Sequence, residues 1–319
     1  MTDMRAIGFT EFGDPSVLGI VTVPVPEPGP GQVLVKVDAA TVNPTDLGFR
    51  HGGRPLPPGV QPPYIPGMDL AGVIESVDPS VTAWQPGDRV MATVSPYDPG
   101  GGAQAAYRVV AEDQLAEVPG GWLMTEAATL PMNGMTVRSA LDMLALPAGS
   151  VLAVTGSAGA VGQYAIQLAR HAGLTVIGDA KPEDVALIEA FGADHVVERG
   201  PGMAAAVRAL YPSGVDAVLD AALLGPAVIG AVRDSGQFLA VRPYQGPAEG
   251  DRAERHITVR LVLVGQHMHE GDRLAELVDL TARGVMTLRV AGTFPAAQAA
   301  EAHRRLAAGG VRGRLVLTF

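Results

Sequence analysis

Residues 151–162 read Val151-Leu152-Ala153-Val154-Thr155-Gly156-Ser157-Ala158-Gly159-Ala160-Val161-Gly162. An apolar run typical of a buried strand leads into a loop with glycine at every third position. A segment with helical spacing of its apolar residues follows from Gln163. Strand, glycine loop and helix in this order predict the first turn of a dinucleotide-binding βαβ unit. The stretch therefore predicts a parallel α/β sheet that holds a nucleotide at its edge.

Each glycine of the loop has a predicted task. Gly156 permits a tight turn, Gly159 lets a pyrophosphate approach the helix N-terminus, and Gly162 lets the helix pack against the strand. The candidate cofactor contacts from this loop are Gly156, Ser157, Gly159, Ala160 and Val161. A Gly/Ala-rich turn without a ligand is the alternative interpretation. The context favours the nucleotide site, because a second strand and an acidic residue follow.

That acidic residue is Asp179, which follows Gly162 at close to the roughly 20 residues expected of a carboxylate that binds an adenosine ribose. Two other phosphate or nucleophile motifs are excluded. No Lys-Ser/Thr pair follows Gly162, as a triphosphate P-loop requires. Ser157 lacks the glycine two residues before it that a hydrolase nucleophile elbow needs.

Composition narrows the class of protein. The chain has 319 residues, 47% of them hydrophobic, and no apolar run of membrane-spanning length, so we expect a soluble protein with no membrane partner. It has no cysteine, which excludes disulfides, thiolate metal sites and cysteine nucleophiles. The net charge of −10 argues against a nucleic-acid partner. The first residues lack a signal-peptide pattern, and we predict a cytoplasmic protein.

The order of predicted elements divides the chain. Short strands with Gly/Pro turns fill residues 1–122, and helical spacing covers 125–145 with an interruption at 131–134. Strands and helices then alternate, which predicts a doubly wound parallel sheet. We expect a mostly β domain at 1–122, completed by 286–319, and a nucleotide-binding domain at 123–285.

Further motifs accompany the glycine loop: Val42-Asn43-Pro44-Thr45-Asp46 and residues 65–74, 85–90, 133–136 and 192–197. With these motifs the chain resembles the medium-chain dehydrogenase/reductase superfamily, and within it the zinc-free quinone oxidoreductase (zeta-crystallin-like) branch. The resemblance covers nearly the whole chain. It implies an α/β protein with a GroES-like, mostly β catalytic domain and a Rossmann domain with a doubly wound parallel sheet.

The resemblance also bears on metals. Zinc alcohol dehydrogenases carry a cysteine near Asn43 and a His-Glu pair at the positions of Met68-Asp69, so a tetrahedral zinc lacks its ligands here. His267 and His269 would share a face if they lay on a strand. Two histidines without a third ligand are more typical of ordinary polar contacts. We therefore predict no metal site.

The active cleft implied by the resemblance is lined by the loop after Asn43. Asn43, Asp46 and Tyr64 are the candidate catalytic residues, since the oxygen that gains charge needs a hydrogen-bond donor. Each has a structural alternative: Asn43 as a turn residue, Asp46 as a helix cap and Tyr64 as a packing residue. Several relatives carry a tyrosine where this chain has Gly48, a departure that puts quinone specificity in doubt and suggests a wider pocket.

The resemblance places Asn133 and Thr136 near the nicotinamide. The choice between NADPH and NADH stays open on the sequence. The family tilts towards NADPH, whereas Asp179 would accept from a ribose 2′-hydroxyl and repel a 2′-phosphate, which favours NADH. Lys181 offsets that repulsion if its side chain turns inward. Asp184 falls where many relatives have a phosphate-binding lysine.

Three functions fit these features. The leading hypothesis is a zinc-independent NAD(P)H-dependent reductase of quinones or α,β-unsaturated carbonyl compounds. The second is an ene-reductase dedicated to one natural-product substrate, and the third is a crystallin-like or sensor protein that binds the nucleotide without turnover. The resemblance also implies a homodimer that pairs through a sixth strand at residues 258–265.

Overall fold

The computed structural model describes residues 2–244 and 253–319. Their contacts divide the chain into two compact units. Unit 1 contains the chain up to Met132, Gly265–Thr281 and Leu288–Phe319. Unit 2 contains Asn133–Val264 and Ala282–Thr287. The C-terminal strands therefore belong to the same unit as the N-terminal part of the chain.

The elements have the following bounds. The strands are β1 (Asp3–Gly8), β2 (Gly19–Pro24), β3 (Gln32–Val42), β4 (Asp69–Val77), β5 (Arg89–Thr93), β6 (Tyr107–Ala111), β7 (Ala116–Glu117), β8 (Val151–Thr155), β9 (Thr175–Ala180), β10 (His195–Glu198), β11 (Val215–Asp220), β12 (Val232–Ala240), β13 (Thr258–Leu261), β14 (Val290–Pro295) and β15 (Arg314–Thr318). The described α-helices are α1 (Pro44–Arg50), α2 (Met124–Ala127), α3 (Pro131–Leu144), α4 (Ala160–His171), α5 (Val185–Ala190), α6 (Met203–Leu210), α7 (Pro226–Ile229), α8 (Gly271–Ala282) and α9 (Ala299–Ala307).

Unit 2 is built on a six-stranded parallel sheet with the order β10-β9-β8-β11-β12-β13. Its first strand in sequence, β8, lies in the middle, and the order reverses between β8 and β11. This is the doubly wound arrangement of a dinucleotide-binding fold, and the predicted parallel sheet is confirmed. Ligands of such sheets bind beyond the carboxyl ends of the strands, at the point where the order reverses.

The sheet of unit 2 forms because its strands are apolar on both faces. In β8 all residues except Val151 are buried, and in β11 all except Asp216. Parallel strands with helical crossovers are covered on both sides, so near-continuous burial is expected. Phe238 of β12 and Met203 and Val207 of α6 belong to the same buried cluster. The packed core holds the carboxyl ends of β8 and β11 side by side.

Unit 1 contains a seven-stranded sheet and a two-stranded sheet. The larger sheet has the order β14-β15-β3-β4-β5-β7, with β6 also pairing with β3, and the smaller one is the antiparallel pair β1-β2. The antiparallel pairing of β15 with β3 brings Leu315 opposite Val42. β15 therefore pairs with β3, the strand that precedes Asn43.

Three predictions about elements are corrected. The helix predicted at 125–145 breaks at 128–130, not at 131–134, because proline is favoured in the first turn of a helix, where its missing N–H costs nothing. The strand predicted at 258–265 ends at Leu261, and Val264–Gln266 form a 3-10 turn. His267 and His269 lie in the turn that follows, not on a strand.

Two further predictions stay predictions. One is the domain division at residues 122 and 285, and the other is the homodimer through the sixth strand, which lies at an edge of the sheet of unit 2. In the described ranges 2–244 and 253–319, no helix has both the length and the apolar character needed to cross a bilayer.

Candidate functional site

The turn after β8 has the geometry of an anion site. Gly156 has a φ of +68°, and its carbonyl accepts from the Gly159 N–H at 2.9 Å. Gly159 caps α4, and its carbonyl accepts from the Gln163 N–H at 2.9 Å. The N–H groups of the first helical turn have no carbonyl four residues earlier within the helix. They can therefore bind a phosphate, assisted by the helix dipole.

The turn has room only for glycine at two of its positions. A Cβ at Gly162 would lie 2.3 Å from the carbonyl oxygen of Gly156. Gly156 itself has a left-handed backbone, and a Cβ there would meet the main chain of Ala221 at 3.3 Å. Both glycines are required by the backbone itself, which leaves a smooth surface for a pyrophosphate.

Ser157 stabilises this turn from its buried side. It is fully buried, its N–H donates to Oδ1 of Asp179 at 2.8 Å, and its hydroxyl donates to the Val154 carbonyl at 3.0 Å. The hydroxyl also accepts from the Asp179 N–H at 3.0 Å. The side chain of Ser157 thus joins the glycine turn to the end of β9.

Asp179 keeps one carboxylate oxygen available. Oδ1 is held by Ser157, whereas Oδ2 is buried and has no hydrogen-bond partner among residues 2–244 and 253–319. Nε of Arg199 lies 3.7 Å from Oδ2, and the Arg199 side chain is 41% exposed. A buried acceptor without a donor is costly. A ribose hydroxyl would supply the donor, so this edge of the sheet fits a dinucleotide.

Asp220 lies at the end of β11, on the other side of the point where the strand order reverses. It lies opposite Thr155 in the sheet, and the Thr155 hydroxyl donates to its Oδ1 at 2.6 Å. Its carboxylate also accepts from the N–H groups of Leu224 at 3.0 Å and Gly225 at 2.7 Å. The Thr155 hydroxyl in turn accepts from the Ala222 N–H at 2.9 Å. Two buried side chains therefore hold the loop 221–225 in place.

The other predicted cofactor residues lie on α3 and after β9. Asn133 and Thr136 are buried and one helical turn apart. Lys181 is exposed and caps the 3-10 turn Pro182–Asp184, and Asp184 is buried within that turn. Among the residues that the structure describes, no hydrogen bond or ion pair joins Lys181 to Asp179, whereas Arg199 lies near this carboxylate.

Unit 1 carries a buried polar cluster around Asp69. Oδ2 of Asp69 accepts from Thr41 at 2.6 Å, from Nδ2 of Asn43 at 3.0 Å and from Nη2 of Arg314 at 2.7 Å. Oδ1 accepts from the Met132 N–H at 2.5 Å. The Asp69 side chain is fully buried, and that of Arg314 is 5% exposed. This cluster joins β3, β4 and β15.

Asn43 and Asp46 are both fully buried and fully engaged. The Asn43 amide donates to Asp69 and Thr41, and its oxygen accepts from Arg314 at 2.6 Å. Asp46 accepts from the N–H of Asn43 and from that of Gly67, each at 2.8 Å. Asp46 therefore caps α1 and ties its first turn to the loop before β4. Burial raises the pKa of Asp46 to about 7, against the opposing effect of these two hydrogen bonds.

Tyr64 lies in an aromatic cluster with three phenylalanines. Its ring stacks on Phe12 at 5.3 Å and contacts Phe9 at 5.4 Å and Phe49 at 6.2 Å. Its backbone pairs with Phe9 through two hydrogen bonds. Gly48, where the resemblance implies a tyrosine in several relatives, faces open space: a Cβ there would meet no atom within 4 Å.

The residues do not fit a zinc ion. In the described part of the chain no group of three or more His, Asp or Glu side chains is arranged to hold a metal. Asp69 stands at a position of the His-Glu pair that the resemblance assigns to zinc alcohol dehydrogenases, and its Oδ2 accepts hydrogen bonds from Arg314, Asn43 and Thr41. His267 pairs with Glu270 and His269 with Asp113, each at 2.8 Å.

Sequence reasoning missed the partners of the candidate residues. Thr155, Asp220 and Arg199 each stand at or just after the carboxyl end of a strand of unit 2. Polar residues at that edge are the available signal. The role of Arg314 could not be predicted from the residues around it, because its partners lie far away in sequence.

Comparison with known proteins agrees with this geometry. Residues 29–120 match the alcohol dehydrogenase GroES-like domain, and residues 191–317 match the zinc-binding dehydrogenase family. The chloroplastic quinone-oxidoreductase QR1 of Triphysaria versicolor is 30% identical over 334 residues, which cover 98% of each chain. The chain belongs to the quinone oxidoreductase family of the medium-chain dehydrogenase/reductase superfamily. Its GroES-like and Rossmann domains are thereby confirmed.

Two solved structures of similar proteins have the same fold. A quinone oxidoreductase of Pseudomonas syringae pv. Tomato DC3000 is 27% identical with a TM-score of 0.88, covering 99% of this chain and 100% of that one. The mycobacterial protein Rv1454c, complexed with NADPH, is 29% identical with a TM-score of 0.86 and the same coverage. This quinone oxidoreductase family member is therefore an oxidoreductase that uses a nicotinamide cofactor.

The buried ion pair of unit 1 predicts a large stability effect. Arg314→Met leaves Asp69 buried without its cation, which we expect to lower the free energy of unfolding by about 3 kcal/mol or more. Arg304→Met, in an exposed ion pair of the same unit, is the control and should change it by about 0.5 kcal/mol or less. Urea unfolding measures both. A loss below about 1 kcal/mol for R314M would show that the cluster contributes little.

The raised pKa of Asp46 predicts a pH-dependent difference between wild type and Asp46→Asn. A carboxyl whose pKa is about 7 when folded and near 3.8 when unfolded binds its proton more tightly in the native state. Its contribution to stability is complete below about pH 4 and is lost as the pH rises to about 7. D46N should therefore gain stability relative to wild type over this range, by a few kcal/mol.

Thermal unfolding from pH 4 to pH 8 measures this difference, with the exposed Asp3→Asn as the control for the loss of one acidic group. Parallel pH profiles for wild type and D46N would contradict a raised pKa at Asp46.

Proposed function

We propose that this protein transfers a hydride from a reduced nicotinamide nucleotide to a quinone, without a metal. The observation that carries the proposal is the glycine turn joined to Asp179, whose buried Oδ2 lies 3.7 Å from Arg199 but accepts no hydrogen bond from the described residues. A ribose hydroxyl would supply that donor. Membership of the quinone oxidoreductase family supports the acceptor class. The overall step consumes one reduced nucleotide, one quinone and one proton, and yields the oxidised nucleotide and the hydroquinone.

The chain's own residues bind and orient the reactants. The reduced nicotinamide, when bound, supplies the hydride. The backbone of Gly159 and the first turn of α4 holds the pyrophosphate, and Asp179 accepts from the adenosine ribose. Asn133 and Thr136 of α3 are proposed to contact the nicotinamide half. Holding donor and acceptor in one geometry lowers the barrier without covalent catalysis.

The predicted catalytic residues take different tasks in this proposal. Asn43 and Asp46 are positioning residues, because every polar atom that they offer is already engaged inside unit 1. Tyr64 is the remaining candidate donor to the acceptor oxygen. Its ring is fixed by Phe12 and Phe9, and its side chain borders a cleft of about 230 Å³ with Ile65 and Val60.

Purified protein should oxidise NADH or NADPH in the presence of quinones, followed by the loss of nucleotide absorbance. Gly162→Ala should abolish nucleotide binding, because its Cβ would clash with the Gly156 carbonyl inside the turn. Gly202→Ala is the matched control in the same unit, since its Cβ meets nothing within 4 Å. If the wild-type protein oxidises neither nucleotide with any quinone, the proposal fails.

A second candidate function is the reduction of an α,β-unsaturated carbonyl compound. The open space at Gly48 favours it, since the position where relatives place a tyrosine offers no wall to a larger acceptor. The same assay separates the two, because an ene-reductase would saturate enones and leave quinones unreduced. A sensor protein would bind the nucleotide and oxidise it with neither class.

We further propose that NADH is the preferred nucleotide. Oδ2 of Asp179 accepts hydrogen bonds only, so a 2′-hydroxyl satisfies it and a 2′-phosphate does not. Arg199, which lies 3.7 Å away, reduces the repulsion of a phosphate and permits some use of NADPH.

Asp179→Ser should shift the ratio of kcat/KM for NADH to that for NADPH towards NADPH by tenfold or more. Arg199→Met should lower the value for NADPH and spare that for NADH. Arg233→Met, which removes a surface arginine paired with Asp216 in the same unit, is the control. If D179S left the ratio unchanged, Asp179 would have no part in the choice of nucleotide.

A further inference from the structure

Leu223 has two unfavourable features at once. It follows β11 in the loop that Thr155 and Asp220 hold, and its φ is +60°, a left-handed value that a leucine rarely adopts. Its side chain is also 52% exposed. A strained backbone that presents a large apolar side chain to water is unfavourable for the protein alone. Such outliers concentrate where a ligand binds.

Leu223 borders a cleft at the carboxyl edge of the sheet. The cleft has a volume of about 230 Å³. Asp220, Leu223 and Gly225 line it from the end of β11, and Ala240, Arg242 and Tyr244 line it from the end of β12. Hydrogen bonds from the buried Asp220 carboxylate fix the loop, so Leu223 is held at the cleft rather than free to turn away.

The strand order shows which half of a dinucleotide would reach this cleft. The glycine turn that takes the pyrophosphate follows β8, and Asp179, which takes the adenosine ribose, ends β9 on one side of it. A dinucleotide lies across the point where the order reverses. The nicotinamide half must then extend to the other side, over the ends of β11 and β12.

We infer that Leu223 is a nucleotide-binding residue that packs its side chain against the nicotinamide half of the bound nucleotide. This inference rests on the proposed function. The contact removes apolar surface of Leu223 from water on binding, and it contributes affinity that the adenosine half cannot supply. The loop holds the leucine in place before the ligand arrives, which reduces the entropy lost on binding.

The test uses two variants at the same position. Leu223→Gly relieves the left-handed backbone and removes the side chain, whereas Leu223→Asn keeps a side chain branched at Cγ, tolerates the backbone and is polar. Ser235→Gly is the matched control: Ser235 has a φ of +59° in the same unit and lies within β12, before its carboxyl end. Calorimetry gives the Kd for NADH and for ADP-ribose, which lacks the nicotinamide, and thermal unfolding gives the Tm.

Both Leu223 variants should bind NADH roughly fivefold more weakly, the effect of losing a half-buried leucine contact. They should bind ADP-ribose as the wild type does, within about twofold, and L223G should have a Tm at or above that of wild type. S235G should raise the Tm and leave both Kd values unchanged.

Two results would overturn the inference. One is unchanged NADH affinity in L223G. The other is an equal loss for NADH and ADP-ribose, which would mean that Leu223 acts on the phosphate turn and not on the nicotinamide half. Either result leaves the proposed function intact. Wild-type protein that binds neither nucleotide would overturn the proposed function together with the inference.

Discussion

The hydrogen bond between Thr155 and Asp220 is the constraint on which the nucleotide crevice depends. It joins the carboxyl ends of β8 and β11, where the order of strands reverses, and both partners are buried. The loop after β11 is attached to it, Ala222 through Thr155, and Leu224 and Gly225 through Asp220. On the other side, Thr155 directly precedes Gly156 of the glycine turn. The glycine turn and the loop beyond β11 therefore share one fixed frame, and a ligand meets two preorganised walls.

Unit 1 also contains a buried cluster of hydrogen-bonded side chains, and this cluster includes an ion pair. Asp69 collects donors from β3, from α3 and from β15, and Arg314 balances its charge inside the core. A buried carboxylate tolerates few arrangements, since each oxygen must find donors. This requirement fixes Asn43, and through Asn43 the start of α1. The first turn of α1 is thus positioned by side chains whose polar atoms are engaged inside unit 1.

The sequence predicts the structure best where the local backbone conformation allows only one residue type. The glycine turn, the strand before it and the alternation of strands and helices follow from spacing, because Gly156 and Gly162 are required by contacts within the turn itself. The boundaries of elements are predicted less well: the sequence predicts a helix break at Pro131, where α3 begins, and a strand at 258–265 that ends at Leu261 in the structure.

The partners of site residues were the part that spacing could not predict. Asp179 was placed at the end of β9 from its distance to Gly162, but its bond to Ser157 and the approach of Arg199 depend on how β8, β9 and β10 align. For Asn43 and Asp46 the sequence leaves both a catalytic and a structural role open. Only the three-dimensional arrangement shows that their polar atoms are already engaged.

The origin of Arg314 in the last strand has a consequence for biosynthesis. Asp69 and Thr41 leave the ribosome long before their cation, so the core of unit 1 stays incomplete during most of translation. Almost all of unit 2 is one uninterrupted stretch, Asn133–Val264, whose contacts are closer in sequence and form sooner. In nascent chains the sheet of unit 2 should therefore form before β15 is added to unit 1. During this interval the core of unit 1 is exposed and available to chaperones.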